Sequence, residues 1–294
     1  MTRLSQERTH FTTSLSIFIL AHKTSSGYQK ARNSINQNKQ EYKMSNNIPT
    51  ILLLCMEPQY IKAFEEAVAT HWPSLHDKIN LEILNSSLSY IAEERKDCRT
   101  GTTNKPPKFD LIVSPANSYG LLDGAFDDAI SRTFCSGMGY HYSTLTHAAQ
   151  DVLYEKWRGF APPGSCTLVR FPEVLLQEKA MNVFGCRFLG LCPTMRFPEN
   201  VKWDREVVYE VVWALLCQVE GWNRGQGDEG GDRIERVLMP PMATGVGRVP
   251  KERWAAQLVM ALKHFVDALE KPERWSRLTW YDLHDEVVEV EKTH

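Results

Sequence analysis

The chain has 294 residues and seven cysteines, yet it contains no CxxC pair and no histidine cluster, so a zinc site is not expected. An odd cysteine count without a secretory framework fits a reducing compartment. No GxxxxGKS or GxxxxGKT sequence is present, which removes a P-loop nucleotidase. Gly137-Met138-Gly139 lacks the third glycine of a dinucleotide fingerprint and follows a helical pattern rather than a strand. The N-terminal apolar run, 15–21, is interrupted by Ser16 and too short to span a membrane. There is also no excess of positive charge: 34 Lys and Arg stand against 36 Asp and Glu, for a formal net charge of -2. Such a chain has no global basic field, and no nucleic-acid partner is expected.

What is present is enough apolar side chain, 43%, for a sizeable core in one large domain or two small ones. Residues 1–43 stand apart, rich in Ser, Thr, Asn, Gln and Lys, and are expected to be a disordered tail. Arg3 and Arg8 among Ser and Thr leave a mitochondrial presequence open, and Glu7 argues against it. Otherwise the cytoplasm or nucleus is the expected compartment. Met44 precedes the first patterned stretch, so the domain is assigned to residues 44–294.

Within it, strand patterns alternate with helical ones. Apolar runs at 51–55, 79–83, 109–113, 164–171, 181–188 and 234–239 read as strands. Helical spacing follows Pro58 (Ile61, Phe64, Ala67, Val68), covers 146–157 and 203–222, and resumes after Pro250. Residues 277–290 read as a final strand or short helix. The charged stretch 93–108, with two prolines, reads as a surface excursion. This alternation points to an α/β fold of three layers.

Two loops carry the chemistry. In 109–130, FDLIVSPANSYGLLDGAFDDAI, a buried strand stops at Ser114-Pro115 and a loop with Gly120 and Gly124 leads into a helix opened by Asp127 and Asp128. Strand, small-residue loop and helix start together build an anion site from backbone N–H groups. The loop 243–248, Ala-Thr-Gly-Val-Gly-Arg, repeats this logic after the strand 234–239. Its glycines allow close backbone approach, Thr244 adds a hydroxyl, and Arg248 adds a cation. Two such loops at the carboxyl ends of sheet strands could grip one diphosphate from both sides.

This pair of loops resembles those of the macrodomain, the ADP-ribose-binding module. SPANSYGLLDGAFDDAI resembles its first ligand loop, PPMATGVGRVP its diphosphate loop, and LCPTMRFP the segment between them, across about residues 50–270. The resemblance implies a three-layer α/β/α fold with a mixed central sheet and ADP-ribose in a cleft at its crest. It implies no cofactor and no metal. Asn117 matches the asparagine that contacts the distal ribose. Ser114, Ala116, Gly124, Ala125 and Phe126 belong to the first ligand loop, and Thr244, Gly245, Val246, Gly247 and Arg248 to the second. Asp127 matches the acid that is catalytic in hydrolytic members, and Glu57 is the nearest candidate to read adenine. Ser114 replaces the first motif asparagine, Ala125 the second glycine of a pair, and no Gly-Asp-Ile follows the first strand.

Two readings of the cleft follow. In the first, Asp127 activates a water and Asn117 orients the ribose, releasing ADP-ribose from ADP-ribose 1″-phosphate or an ADP-ribosyl-protein. In the second, the cleft is a non-catalytic reader of ADP-ribose and Asp127 is an ordinary first-turn acid. A third, Cys135 acting with His141 or His147, has only sequence proximity behind it.

Overall fold

The computed structural model describes residues 48–96, 103–177, 182–226 and 231–294. The expected tail 1–43 and residues 97–102 of the surface excursion lie outside the described residues; Arg95–Lys96 and Thr103–Asn104, on either side of the latter, pair as a short antiparallel ribbon.

Six strands form one sheet: β1 Thr50–Leu54, β2 Leu81–Leu84, β3 Leu111–Ser114, β4 Thr167–Arg170, β5 Phe188–Leu191 and β6 Arg236–Met239. Their order is β2-β1-β6-β3-β5-β4. Every pairing is parallel except that of β4 with β5, so the sheet is mixed. The longer helices are α1 Pro58–His71, α2 Ala125–Phe134, α3 Thr144–Trp157, α4 Val207–Gln226, α5 Lys251–Glu270 and α6 Trp280–Glu291.

The layers follow from strand alternation, which sends successive side chains to opposite faces. Leu53, Val113, Phe188 and Met239 pack on one face with Phe64 of α1, Val212 of α4 and Leu258 of α5. Leu52, Ile112, Leu189 and Leu238 pack on the other with Ile130 of α2 and Leu145 and Ala149 of α3. A strand covered on both faces must be apolar throughout, which is why ILLL and LIV lack polar alternation. Each such side chain contributes roughly 1.5–3 kcal/mol on burial. The three-layer α/β/α architecture with a mixed sheet is therefore the one expected.

Several boundaries differ from the expectation. Residues 182–187 form a turn, not a strand: Asn182 donates to Cys186 O (2.6 Å) and accepts from Cys186 N (3.2 Å), and Gly185 takes a positive φ of 71°. Helix α4 begins at Val207 rather than 203, because Asp204 Oδ1 accepts from the Glu206 amide at 3.1 Å and closes a turn first. Trp203 is consequently 73% exposed instead of packing in the core. The same helix runs through Gly221 to Gln226, where buried Asn223 accepts from Ile234 N and donates to Ile234 O, both at 2.8 Å. Residues 280–291 are helical, opened by a capping box between Thr279 and Asp282. Its first residues, Trp280 and Tyr281, are exposed and far from any packing role.

Asn223 satisfies two backbone groups at the entry to β6. Asn223→Ala should leave both buried without partners and cost roughly 2–4 kcal/mol, readable as a lowered urea midpoint with an unchanged slope.

Candidate functional site

A parallel sheet brings the carboxyl ends of β1, β6, β3 and β5 to one edge, in that spatial order. Both glycine-bearing loops leave that edge. β3 and β6 are direct neighbours, with Leu111 opposite Val237 and Ile112 opposite Leu238, so the two loops start side by side.

The first loop is held by its own polar groups. The Asn117 carboxamide accepts from Tyr119 N (3.0 Å) and Leu121 N (3.4 Å) and donates to Leu121 O (2.9 Å). Asn117 also bridges in parallel to Met195, and Ser118 N donates to Met195 O at 3.0 Å, tying the loop to the chain beyond β5. Helix α2 then begins with Gly124 as its N-cap and no side-chain cap. Asp127 N and Asp128 N both turn back to Gly124 O, while the amides of Ala125 and Phe126 meet no acceptor among the described residues.

The second loop closes on itself as well. Val249 N donates to Ala243 O (3.0 Å), Arg248 N to Gly245 O (3.1 Å), and Thr244 Oγ1 to Pro241 O (3.1 Å). Gly247 is obligatory here, since a Cβ would stand 2.5 Å from Ala243 O. Among the described residues, the amides of Gly245, Val246 and Gly247 have no acceptor. Three residues of these loops, Ala125 (φ 50°), Ala243 (φ 60°) and Arg248 (φ 55°), occupy the left-handed region without being glycine.

Between the loops lies a cleft of about 330 Å³. At its β1 end it is walled by Met56, Glu57 and Tyr60, in the middle by the loop amides, and at its β3–β5 end by Asn117, Asp123, Asp127 and Thr194. Its charged lining groups, Glu57, Asp123 and Asp127, are all carboxylates. An anion in this cleft would therefore meet backbone N–H groups rather than lysine or arginine.

Asp127 is 6% exposed and accepts a 2.7 Å hydrogen bond from Ser114 Oγ. Burial pushes its pKa from an ordinary 3.8 up to about 7; the Ser114 hydrogen bond opposes the rise and the nearby Asp123 charge adds to it. Its sequence neighbour Asp128 faces elsewhere, bonded to Arg132 Nε and Tyr142 Oη at 2.7 Å each, and is held below the usual carboxylate range by those hydrogen bonds.

Of the residues expected at the site, Ala116, Asn117, Gly124, Ala125, Phe126, Asp127, Thr244, Gly245, Val246 and Gly247 line the cleft, as does Glu57. Ser114 lies beneath it, fully buried, with Asp127 above. Arg248 is exposed and outside the lining. Cys135 is buried with its thiol pKa raised by that burial, and His141 Nδ1 is engaged by Ser143 Oγ at 2.8 Å. Sequence reasoning missed Asp123 and Thr194. Thr194 follows a sheet strand at its carboxyl end, a position that marks ligand contact in open α/β sheets. It is 1% exposed and its hydroxyl has no hydrogen-bond partner among the described residues.

No protein-family model matches this chain, and no curated protein does. Among solved structures it is similar to the Oceanobacillus iheyensis macrodomain. A mutant of that protein with ADPR is 17% identical over 54% of this chain and 71% of that chain, at a TM-score of 0.38. The same macrodomain with ADP gives 17% identity, 54% and 70% coverage, and a TM-score of 0.38. A likeness this distant leaves function to the geometry of the cleft.

Two measurements check this geometry. The folded form holds the Asp127 proton to about pH 7 and the unfolded form only to about 4. The stability this proton confers is full below about pH 4 and falls as pH rises through about 7. Asp127→Asn should flatten that fall, seen as a denaturant midpoint less dependent on pH than in the parent protein. Ala125→Gly should relieve left-handed strain and raise stability by up to about 1 kcal/mol, after the entropic cost of glycine.

Proposed function

We propose that this protein binds ADP-ribose, free or attached, in the cleft between the two loops. The observation that carries this is the convergence of two sets of uncommitted amides, Ala125–Phe126 on one side and Gly245, Val246 and Gly247 on the other, on one cleft at the sheet's carboxyl edge. Opposed N–H groups with no cation suit a diphosphate, whose oxygens accept several hydrogen bonds at once. The apolar β1 end, Met56 and Tyr60 beside Glu57, suits a purine with an amino group to donate. The distal ribose then falls at the β3–β5 end, against Asn117, Asp127 and Thr194. Asn117 acts mainly by shaping the loop, because its carboxamide oxygen already accepts two backbone hydrogen bonds.

The same arrangement supports hydrolysis of ADP-ribose derivatives. Asp127 opens on the cleft with a pKa of about 7, suited to a base that takes a proton from water near neutral pH. Loop amides would hold the diphosphate while the bond at the anomeric carbon, or to a terminal phosphate, breaks. A reader without turnover is the second reading. It is favoured by the depth of Asp127, which is buried and already hydrogen-bonded to Ser114. The chemistry of both readings is that of a macrodomain, the family its two loops resemble.

Isothermal titration of the full chain with ADP-ribose, ADP and AMP tests the binding. ADP-ribose should bind clearly tighter than the other two, since only it carries the distal ribose; equal or absent binding removes the reading. For hydrolysis, kcat/KM should rise with pH through about 7 as Asp127 ionises. Ser114→Ala removes the hydrogen bond that favours the carboxylate, so it should move that midpoint upward. Saturable binding with no product, in parent protein and Asp127→Ala alike, selects the reader.

A further inference from the structure

From the β3–β5 end of the cleft we infer that the group accepted beyond the distal ribose is a guanidinium, that of an ADP-ribosylated arginine, with Asp123 as the residue that selects it. The inference rests on the ADP-ribose reading above and names the substrate class of the same cleft.

Three oxygen-bearing side chains line this end, Asp127, Asp123 and Thr194. Asp123 lines the cleft, is exposed, and has no hydrogen bond or ion pair among the described residues. It lies close enough to Asp127 for its charge to be felt there. The third is Thr194 Oγ1, a buried hydroxyl without a partner, on the chain leaving β5. Its own amide donates to Ala116 O at 3.0 Å, which fixes it beside the first loop. A buried polar atom left without a partner is rare and points to something that binds there. Two carboxylates and a hydroxyl form an acceptor-rich wall. The guanidinium of an ADP-ribosylated arginine keeps four of arginine's five N–H donors and has no acceptor, so it matches such a wall. A carboxylate-linked or phosphate-linked acceptor would bring further acceptors, and in the phosphate case negative charge, against it.

Nearby cations do not cancel this. Arg196, two residues past Thr194, is outside the lining, with Nε donating to the Tyr119 hydroxyl at 3.1 Å and its guanidinium 5.5 Å from the Phe160 ring centre. Arg132 is paired to Asp128.

The reaction balances without a co-reactant. Water oxygen bonds to the anomeric carbon while the carbon–nitrogen bond breaks and its electron pair leaves on the guanidine nitrogen. One water proton passes to the Asp127 carboxylate and on to that nitrogen. The products are ADP-ribose and an unmodified guanidinium. The groups facing Asp127 are Ser114 from β3, Asp123 from its own loop, and Cys192 beyond β5, on which the Asp127 charge also acts.

The test titrates the full chain with ADP-ribosyl-arginine, ADP-ribose and ADP-ribose 1″-phosphate, at low and at high salt. ADP-ribosyl-arginine should bind up to roughly fivefold tighter than ADP-ribose, the upper range of an exposed charge pair, and the phosphate more weakly than either. High salt should compress those ratios. Asp123→Asn should erase the arginine preference and Asp123→Lys should reverse it in favour of the phosphate. With ADP-ribosyl-arginine as substrate, Asp123→Asn should also lower the midpoint of the pH–rate profile, because one negative charge beside Asp127 is gone. Equal affinity for all three ligands, or a preference for the phosphate in the parent protein, overturns the guanidinium inference and leaves ADP-ribose binding intact. Failure of all three to bind overturns both.

Discussion

Leu111 and Ile112 of β3 pair in parallel with Val237 and Leu238 of β6, and the cleft depends on that pairing. Because both strands point the same way and their carboxyl ends are adjacent, the loops that follow them must leave the sheet together. A slip of one residue would turn the inward side chains of β3 to the opposite layer. Burial on both faces prevents it: Leu111, Ile112 and Val113 are all fully buried, and Leu111 and Val113 face a different helical layer from Ile112. The hydrophobic core thus fixes where the two loops leave the sheet.

Strain is concentrated where the loops turn. Ala125, Ala243 and Arg248 hold left-handed backbone at a cost of about 1 kcal/mol or more each. In return, the amides of Ala125 and Phe126 and those of Gly245, Val246 and Gly247 are left without acceptors among the described residues. Gly247 belongs to the same economy, since Ala243 O occupies the space that a side chain would need.

The electrostatics of the cleft divide along the sheet order. Its centre offers N–H groups and its β3–β5 end offers two carboxyl groups and a hydroxyl. A ligand complementary to both must be negative in the middle and rich in donors, or positive, at that end. Asp127 sits at the junction, above Ser114 and near Asp123, and owes its raised pKa chiefly to removal from water. Burial therefore does more than stabilise the fold, because it moves one carboxyl group into the range where it can exchange protons near neutrality.

Much of this was legible in the sequence. Continuous apolar runs such as ILLL and LIV required strands covered on both faces, and their alternation with helical spacing required layers of helices around them. The glycine-bearing loops after 109–113 and 234–239 were visible for the same reason, as small residues at strand ends. What the sequence did not determine was adjacency. β3 and β6 are separated by more than a hundred residues, and only the assembled sheet makes them neighbours. Local hydrogen bonds also overrode pattern: Asn182 bent an apolar stretch into a turn, and Asp204 delayed a helix and left Trp203 in solvent. Asp123 and Thr194 carry no motif of their own. Thr194 is set apart by burial and an unpaired hydroxyl and the exposed Asp123 by nearness to Asp127, and those are properties of position in space, which pairing across the sheet decides and residue order does not.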